Sequence, residues 1–569
     1  MASKYIVIVG GVLSGIGKGI ATSSIGKIIE NYGYSTTAIK IDPYINYDAG
    51  TLRPTEHGEV WVTDDGGEID QDLGNYERFL CKDIPKENNI TTGQIYKSVI
   101  EKERAGEYLG QTVQFIPHIP DEIIRRIKKA SEGFEVSIIE IGGTIGDYEN
   151  MPYLFAVRSL IRMIGKENLA IVMLSYLPIP SHIDEMKTKP TQQAIRQLSE
   201  HGIWPDIILC RAKTPLDDVR RKKIETYANI EADYVISAPD TDCIYEVPLN
   251  FEKENLGKKL LDKLMLSPRK KPDWSKWKQL VEGIMNPKVK VKVAMVCKYL
   301  DIGKFSLKDS YISVSRALID AGAQDKIGVD IKWIDSKEIE KEGTDCLNDV
   351  EGIIVPGGFG EAGFEGKIES IRYAREKKIP YLGLCLGMQL ALVEYARNVM
   401  GLTNANTREA DPNASHKVID YLEKQAELIG EKKIGGTMRL GAYAAQLKRG
   451  TKVLEWYEKT GRLKADEEKI KEIKEPFRLG ILDKGEPVVL ERHRHRYEVN
   501  PEYIEAFEKA GIIFSGFHRP ACGKPLMEFM ELPNHPFFIA TQSHPEFKSR
   551  LENPAPLFLG FLKSIINYK

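Results

Sequence analysis

The first thirty residues place an apolar run directly before a cluster of glycines. Residues 5–9 are β-branched or aromatic and carry no charge, which indicates a buried strand. Five glycines follow between positions 10 and 19, with Lys18 among them, and residues 20–31 have apolar side chains at helical spacing. A strand, a glycine-rich turn and a helix form a cradle for a phosphate, because backbone N–H groups can approach it at the positive helix end. The lysine would add a cation beside the terminal phosphates.

The glycine spacing differs from the usual phosphate-loop motif. Gly11 to Gly17 encloses one residue too many, and Gly19 stands where Ser or Thr is usual. Ser14 or Thr22 is a candidate for the missing hydroxyl. An ordinary tight strand–helix turn is the alternative, and the lysine in the turn favours the phosphate loop.

Bulk properties exclude several classes of protein. A chain of 569 residues is too long for a single core and predicts roughly two to four domains. A net charge of −2 predicts no general attraction for nucleic acid or an anionic membrane. The chain enters a strand without a charged leader and has no apolar run of membrane-spanning length, so we expect a cytoplasmic protein. The seven cysteines form no CxxC pair, which argues against a disulfide framework and a zinc site.

Further apolar runs alternate with helical stretches and predict two doubly wound α/β domains with mostly parallel sheets. The predicted strands after the first are 35–41, 136–143, 169–174, 206–210, 234–237, a run starting at 291, 329–334, 352–355, 380–384 and 537–542. Proline and charge between 268 and 290 predict a linker, so we place the domains at 1–267 and 291–569. Residues 460–485 are rich in Lys and Glu and predict a surface insertion.

Acidic residues in the first half suggest a metal site. The acidic stretch 63–72 is typical of a solvated loop, which its composition favours, although it could also hold magnesium. Glu140 lies inside an apolar run, where an unpaired carboxylate is costly, and Mg²⁺ is a candidate partner. Lys40 stands at the end of a predicted strand, where open α/β sheets bind ligands.

Two basic segments, 187–192 and 220–223, follow the predicted strands of the first half. A basic run is usually a solvated surface, and each segment alone favours that interpretation. Together with the carboxylates of Asp147 and Glu149 they suggest a second pocket for a polyanion.

The most specific signal lies in the second half, where a strand passes into an amphipathic helix through Gly383-Leu-Cys385-Leu-Gly387. This spacing predicts a nucleophile elbow with sulfur in place of oxygen. His544 and Glu546 supply a base and its orienting partner, because residues i and i+2 of an extended chain face the same side. The glycine-rich stretch 355–360 could donate N–H groups to an oxyanion. A structural cysteine and a surface histidine are the alternatives, but the combination favours catalysis.

On these motifs the chain closely resembles the CTP synthase family over nearly its whole length. The segment 383–389 with 544–546 resembles class I glutamine amidotransferase domains in general. Segments 10–19, 140–147, 187–192 and 491–497 resemble CTP synthases in particular, and the odd glycine spacing matches this family's own variant.

The resemblance implies a P-loop NTPase-like synthase (amidoligase) domain, a linker and a flavodoxin-like or Rossmann-like class I amidotransferase domain. It implies amination of UTP to CTP with ATP as co-substrate, Mg²⁺ and ammonia from glutamine. Cys385 would form a glutamyl thioester, and His544 would move the proton as part of a Cys–His–Glu triad. An internal passage for ammonia is also expected.

The resemblance also carries binding residues over to this chain. For ATP they are Ser14, Gly15, Ile16, Gly17, Lys18, Gly19, Ile20, Lys40, Asp72 and Thr241, and for Mg²⁺ they are Asp72 and Glu140. For UTP or CTP they are Ser14, Asp147, Tyr148, Glu149, Lys187, Thr188, Lys189, Pro190, Thr191, Gln192 and Lys223. For glutamine they are Gly358, Leu386, Gly387, Met388, Gln389, Glu409 and Arg496.

The resemblance further implies CTP as a feedback inhibitor, GTP as an allosteric activator and a homotetramer built through the synthase domain. The family usually has Arg where Ala362 stands, and that Arg is linked to GTP activation, so the strength of the GTP effect is not implied. The family also usually has Phe where Ala410 follows Glu409, which makes the assignment of Glu409 the weakest of the set.

Two other functions are compatible with parts of the pattern. Another glutamine-fed phosphate-loop ligase could amidate a carboxylic acid, but the two basic segments favour a triphosphate acceptor. A nucleotide-driven scaffold with an inert glutaminase domain is a different class, and the intact Cys385, His544 and Glu546 argue against it.

Overall fold

The computed structural model describes residues 3–52, 58–183, 185–298, 301–302, 305–306, 308–358, 360, 363–421 and 438–568. Ala362, on which the expected strength of GTP activation depends, lies outside these residues. The chain divides into two compact units. The first consists of Met1–Thr51 and Ile69–Val281, and the second consists of Leu52–Glu68 and Glu282–Lys569.

The strands in chain order are β1 (Lys4–Gly10), β2 (Thr36–Asp42), β3 (Trp61–Val62), β4 (Glu68–Ile69), β5 (Asn89–Thr91), β6 (Val136–Ile141), β7 (Leu169–Tyr176), β8 (Ile207–Ala212), β9 (Val235–Pro239), β10 (Val289–Cys297), β11 (Asp301–Ile302), β12 (Phe305–Ser306), β13 (Ile327–Asp335), β14 (Gly352–Val355), β15 (Tyr381–Leu384), β16 (Ala405–Thr407), β17 (His416–Tyr421), β18 (Arg439–Leu447), β19 (Val488–His495), β20 (Tyr497–Val499), β21 (Ile513–His518), β22 (Leu526–Glu531) and β23 (Phe538–Thr541).

The α-helices are α1 (Lys18–Asn31), α2 (Asp72–Leu80), α3 (Thr92–Arg104), α4 (Phe115–Ala130), α5 (Met151–Ile164), α6 (Lys189–Glu200), α7 (Asp218–Ala228), α8 (Val247–Lys253), α9 (Leu256–Lys263), α10 (Ser275–Met285), α11 (Ile312–Ala323), α12 (Ser336–Glu342), α13 (Phe364–Lys377), α14 (Leu386–Asn398), α15 (Lys452–Lys459), α16 (Arg462–Lys469), α17 (Pro476–Leu479), α18 (Ile504–Lys509) and α19 (Pro556–Tyr568). Within the described residues, none of these helices is both long and apolar enough to span a bilayer.

The first unit is built on a parallel sheet with the strand order β5-β2-β6-β1-β7-β8-β9. β1 lies between β6 and β7, with Ile6 opposite Ile138 on one side and Ala170 on the other. Its residues are buried because the sheet is covered on both faces, as the charge-free sequence predicts. The strand order reverses direction at β1, and ligands of such sheets bind at the carboxyl ends of the strands beside this point.

The second unit has a nine-stranded sheet with the order β13-β10-β14-β15-β23-β22-β21-β18-β19. The five strands from β13 to β23 are parallel, which confirms the predicted α/β class. The four strands from β22 to β19 are antiparallel and extend the sheet beyond what the sequence predicts. They were missed because β19 and β22 bury charged residues, so neither strand is an uninterrupted apolar run.

Residues 460–485 are not simply the predicted surface insertion. Arg462 and Asp466 of α16 form an ion pair of 2.8 Å, and the Asp466 carboxylate also accepts a hydrogen bond from Leu490 N of β19. Arg478 is buried and donates to the carbonyl oxygens of Leu440 and Ala442. The charged composition therefore serves contacts with the antiparallel strands as well as solvent.

The close packing of α13 on α12 yields a first test. A Cβ at Gly366 would overlap the backbone oxygen of Ser336, which cannot move independently of its helix. We expect Gly366→Ala to lower the free energy of unfolding by about 3 kcal/mol, measured by denaturant unfolding. Glu369→Ala on the same helix removes only a partly exposed ion pair with Arg372 and serves as the control. Equal stability of the two variants would contradict the packing argument.

Candidate active site

Cys385 lies on a sharp turn between a buried strand and a buried helix. β15 ends at the preceding residue, and α14 begins at the following one. Its backbone has φ 52° and ψ −102°, a combination that few residues with a side chain adopt. A hydrogen bond of 2.7 Å from its N–H to the Thr541 carbonyl helps to hold the turn. This is the strand–turn–helix arrangement that the glycine spacing predicts.

Gly383 and Gly387 are needed because neighbouring atoms leave no room for a Cβ, and not because their backbone is left-handed. A Cβ at Gly387 would overlap the carbonyl oxygen of Val355 at the end of β14. A Cβ at Gly383 would lie 2.9 Å from the Cβ of Ala540 on the neighbouring strand. Both substitutions would push the turn away from the sheet that supports it.

The imidazole of His544 lies beside this turn and is held by Glu546. Nδ1 of the ring and Oε1 of Glu546 are 2.7 Å apart, and both side chains are buried. A Cβ at Gly357 would lie 2.9 Å from Cε1 of the ring and 3.6 Å from Cβ of Cys385, so the three residues converge on one point. The sequence predicts this pair for the wrong reason, since Pro545–Lys548 forms a 3-10 turn and not an extended chain.

The electrostatic surroundings of His544 favour its protonated form. Burial alone lowers the pKa of the ring, but the Glu546 carboxylate and the Cys385 thiol outweigh it and raise the pKa to about 10. A ring with this pKa can hold a proton taken from the thiol and release it to a leaving group. The arrangement is therefore suited to nucleophilic catalysis by sulfur.

Two residues that the sequence analysis did not assign complete the surroundings of the thiol. Gln542 donates from Nε2 to Sγ of Cys385 at 3.5 Å and accepts from Nε2 of Gln389 at 3.1 Å. Lys367 is fully buried, and its ammonium donates to the Pro356 carbonyl at 3.2 Å, directly before Gly357. Burial lowers the pKa of Lys367 to about 8, despite the nearby Cys297 and Cys385. Gln542 could be found from its position two residues before His544, whereas a helical lysine gives no such signal.

The residues predicted to bind glutamine surround the same turn. Leu386, Gly387, Met388 and Gln389 form the first turn of α14, and N–H groups of Met388 and Gln389 donate to the Cys385 carbonyl. Gln389 also donates to the Tyr497 carbonyl, directly after Arg496. The Glu409 carboxylate accepts from Gly360 N at 2.8 Å, two residues after Gly358.

The glycine-rich loop of the first unit has the backbone of an anion cradle. Gly15 and Gly17 have φ of 69° and 88°, and α1 begins at Lys18. The ammonium of Lys18 donates to the Gly143 carbonyl at 2.6 Å. A Cβ at Gly19 would overlap Oδ1 of Asp72, which explains the glycine where Ser or Thr is usual. Ile16 is buried and Ser14 is exposed, so the loop turns one side towards solvent.

Buried charges gather directly behind this loop. The ammonium of Lys40 forms ion pairs with Asp72, with Glu140 at 3.1 Å and with Asp42 at 3.7 Å. Burial lowers the pKa of Lys40, but these carboxylates outweigh it and hold the pKa well above its usual value. Thr22 donates to Glu140 at 3.1 Å and Tyr76 donates to the same carboxylate. Ser14 and Thr22 were the two candidates for the hydroxyl of the phosphate loop. Thr22 is the one that contacts the carboxylate of Glu140.

A cleft opens beside the loop. Ile16, Gly17 and Ile20 form one side, and Thr241 lies among the residues of the other side. Arg211 also lines the cleft and pairs with Asp240 at 2.9 Å. The structure thus brings together the predicted phosphate loop and Thr241, which the resemblance assigns to ATP, and it adds an arginine that the sequence analysis did not single out.

The predicted pyrimidine-nucleotide residues fall into two groups. Thr191 at the start of α6 hydrogen bonds to Ser175 at 2.9 Å, and Gln192 and Lys223 line one common pocket between α6 and α7. Lys187 pairs with Glu185, Thr188 is buried, and Lys189 and Pro190 begin the helix. Asp147 accepts from Thr144, while Tyr148 and Glu149 are exposed. In the described part of the chain, no hydrogen bond or ion pair joins Tyr148 or Glu149 to either basic segment.

Each unit by itself defines a class. The second has the fold and the activated thiol of an enzyme that releases ammonia from a side-chain amide. The first has the fold and the cationic glycine loop of a nucleotide-dependent ligase domain. A chain with both units is a glutamine-dependent amidoligase.

Comparison with known proteins narrows this class to one family. The model for the CTP synthase N-terminus matches residues 4–266, and the model for class-I glutamine amidotransferases matches residues 306–564. CTP synthases of Pyrococcus abyssi and Methanocaldococcus jannaschii are 49% and 47% identical to this chain, cover all of it and are themselves covered to 98% and 99%. A solved glutaminase domain of Trypanosoma brucei CTPS with bound acivicin is 33% identical, covers 49% of this chain and 94% of its own, and has a TM-score of 0.40. The chain belongs to the CTP synthase family, as its motifs predict.

The raised pKa of His544 yields a prediction for stability against pH. The stabilisation from protonated His544 is fully present below the unfolded pKa of 6.5 and is lost as the pH rises towards the folded pKa of about 10. Glu546→Gln removes the main cause of the shift. We therefore expect the Tm of the wild type to fall relative to the Tm of Glu546→Gln as the pH rises from 6.5 to 10. Calorimetry of both proteins over this range measures the change. A difference that stays constant over this range would contradict the assignment.

Proposed function

We propose that this chain aminates UTP to CTP in an ATP-dependent reaction that takes its ammonia from glutamine. The observation that carries the proposal is that one chain contains both the Cys385 elbow with His544 and the glycine loop with Lys18. A thiol elbow alone explains ammonia release, and a phosphate loop alone explains ATP use. The combination, in a chain of this family, explains why both chemistries are joined.

In the glutaminase half, Sγ of Cys385 attacks the amide carbon of glutamine and forms a thioester. His544 takes the thiol proton and gives it to the leaving ammonia, while Glu546 keeps the ring oriented. Backbone N–H groups of Gly358 and Leu386 stabilise the oxyanion. Water then releases glutamate, and the residues proposed to hold the glutamine backbone are Gly387, Met388, Gln389, Glu409 and Arg496.

In the synthase half, the 4-oxygen of UTP attacks the γ-phosphorus of ATP and ADP leaves, so the 4-oxygen, a poor leaving group, becomes part of a phosphate ester, which is a good one. Ammonia adds to C4, and phosphate then departs to give CTP. We assign the ATP phosphates to residues 14–20 and Lys40, and the adenine to the cleft that Thr241 lines. UTP is assigned to Ser14, Asp147, Tyr148, Glu149, the segment 187–192 and Lys223. An internal passage would keep the ammonia unprotonated.

The buried carboxylates of the first unit fit Mg²⁺. Asp72 and Glu140 both reach Lys40, so their oxygens converge on one region beside the loop. Hard cations that bridge phosphates use one or two carboxylates and complete their shell with phosphate and water. When bound there, Mg²⁺ would neutralise charge on the triphosphate. The ammonium groups of Lys18 and Lys40 would bind the same phosphates as the Mg²⁺.

Membership of the family also supports proposals about inhibition, activation and assembly. We propose CTP as a feedback inhibitor at the UTP residues, GTP as an activator and a homotetramer as the assembly. A cytoplasmic location follows from the substrates, which are cytoplasmic nucleotides and glutamine.

The separation of the two sites gives a direct test. We expect Cys385→Ala to lower glutamine-dependent CTP formation by more than about 1,000-fold, because the nucleophile is lost. CTP formation from ammonium chloride should stay at the wild-type rate, since the synthase residues are unchanged. Both rates are followed by CTP absorbance with ATP, UTP and Mg²⁺ present. Parallel loss of both activities, or no CTP from either donor in the wild type, would refute the proposal.

The metal assignment gives a second test. We expect Glu140→Gln to raise the Mg²⁺ concentration for half-maximal ammonia-dependent synthesis by at least about tenfold, because a charged ligand is lost. Glu135→Gln is the matched control, since Glu135 pairs with Arg269 on an exposed part of the same unit. An unchanged Mg²⁺ dependence in Glu140→Gln would reject the site.

A further inference from the structure

A segment from the first part of the chain belongs to the glutaminase unit. Residues 58–68, here called the hairpin segment, contain β3, a turn and the start of β4, and they group with the second unit. The turn closes through Thr63 N and Gly67 O at 3.0 Å, and the Asp64 carbonyl accepts from Ala442 N of β18 at 2.8 Å. Sequence composition favours a solvated loop from residue 63 onward, but Thr63 and Glu68 are buried.

An aromatic stack connects the hairpin segment to the catalytic base. The rings of His544 and Phe547 are stacked with centroids 5.2 Å apart and an interplanar angle of 19°. Trp61, which is fully buried, packs edge-on against Phe547, with the two ring centroids 5.1 Å apart and an interplanar angle of 60°. Trp61 therefore contacts the same ring against which the imidazole stacks.

An ionic network makes a second connection. The carbonyl oxygen of Arg492 accepts from His544 N at 2.7 Å, and the guanidinium of the same residue donates to Asp64 at 2.5 Å. Lys469 and Lys548 also pair with Asp64, at 2.5 and 3.7 Å. Despite burial, these three cations hold the pKa of Asp64 well below its usual value.

A third contact fixes the far end of the segment. Glu68 pairs with Arg494 at 2.9 Å, so both Asp64 and Glu68 are attached to β19. Four residues after Glu68 the chain reaches Asp72, which is part of the proposed metal site. The attachment to β19 is thus only a few residues from the synthase residues along the chain.

We propose that the hairpin segment positions the His544 imidazole for glutamine hydrolysis, with Trp61 acting through Phe547 and Asp64 acting through Arg492. Neither residue contacts the reacting atoms, so both are positioning residues. The inference rests on the proposed function and deepens it, because it makes the glutaminase base depend on chain that leads directly into the synthase site.

The test compares four variants of the full-length protein. Trp61→Ala removes the aromatic contact, and Trp61→Phe preserves a ring there. Asp64→Asn removes the charge that holds Arg492. Asp483→Asn is the matched control, because Asp483 pairs with Arg519 at a partly exposed position of the same unit. Glutamate release from glutamine is measured with ATP, UTP and Mg²⁺ present, and CTP formation from ammonium chloride is measured on the same preparations.

We expect Trp61→Ala and Asp64→Asn to lower kcat for glutamate release by about tenfold to 100-fold, while KM for glutamine changes little, since misplacement affects the reacting geometry more than binding. Trp61→Phe should recover most of the loss, and Asp483→Asn should match the wild type. Ammonia-dependent synthesis should be unchanged in all four variants.

Three results would overturn the proposal. One is glutamate release by Asp64→Asn and Trp61→Ala at the rate of the Asp483→Asn control. Another is a change confined to KM. The third is a parallel fall in ammonia-dependent synthesis, which would indicate a general structural role. A wild-type protein that releases no glutamate would instead refute the proposed function, so the two failures are distinguishable.

Discussion

The strained backbone at Cys385 is the constraint on which the glutaminase unit depends. A residue with a side chain in this conformation costs about 1–3 kcal/mol, and it persists only where the surroundings over-determine it. Here the Cys385 N–H is bound by Thr541 at the end of the neighbouring strand, and α14 lies so close to β14 that only glycine fits at position 387. Thr541 is also three residues before His544. One hydrogen bond thus ties the nucleophile to the chain that carries its base.

In the first unit the comparable constraint is a cluster of buried charges and not a strained backbone. Asp42, Asp72 and Glu140 share the buried ammonium of Lys40, and burial raises the pKa of Asp42 to about 7 in spite of that lysine. Burial raises the pKa of Glu140 as well, so burial outweighs the attraction of Lys40 at two of the three carboxylates. An unpaired buried carboxylate is costly, and the sharing of one ammonium among three carboxylates offsets only part of that cost.

The sequence was sufficient for the parts of the molecule in which local pattern determines structure. Apolar runs give the parallel strands of the two large sheets to within a few residues, except for the short edge strand β5, which was not predicted. The glycines around Cys385 and Lys18 give both loops, because each motif requires close approach at fixed spacing. The contact of His544 with Glu546 was also predicted, although a 3-10 turn brings it about. The antiparallel strands could not be found in this way, since β19 buries Glu491, Arg492 and His493 within the sheet.

The remaining features depend on pairs of charges that are distant in sequence. Asp64 and Arg492 are 428 positions apart, and neither lies in a segment whose pattern indicates burial. Read locally, residues 63–72 and 460–485 are polar and charged, so composition assigns both to solvent. In the folded chain Lys469 of the second segment supplies a counter-charge to Asp64 of the first, and Arg478 donates to the β18 carbonyls of Leu440 and Ala442. Polar segments can be buried when they neutralise one another, and that mutual dependence is a property of the tertiary structure that no single segment carries.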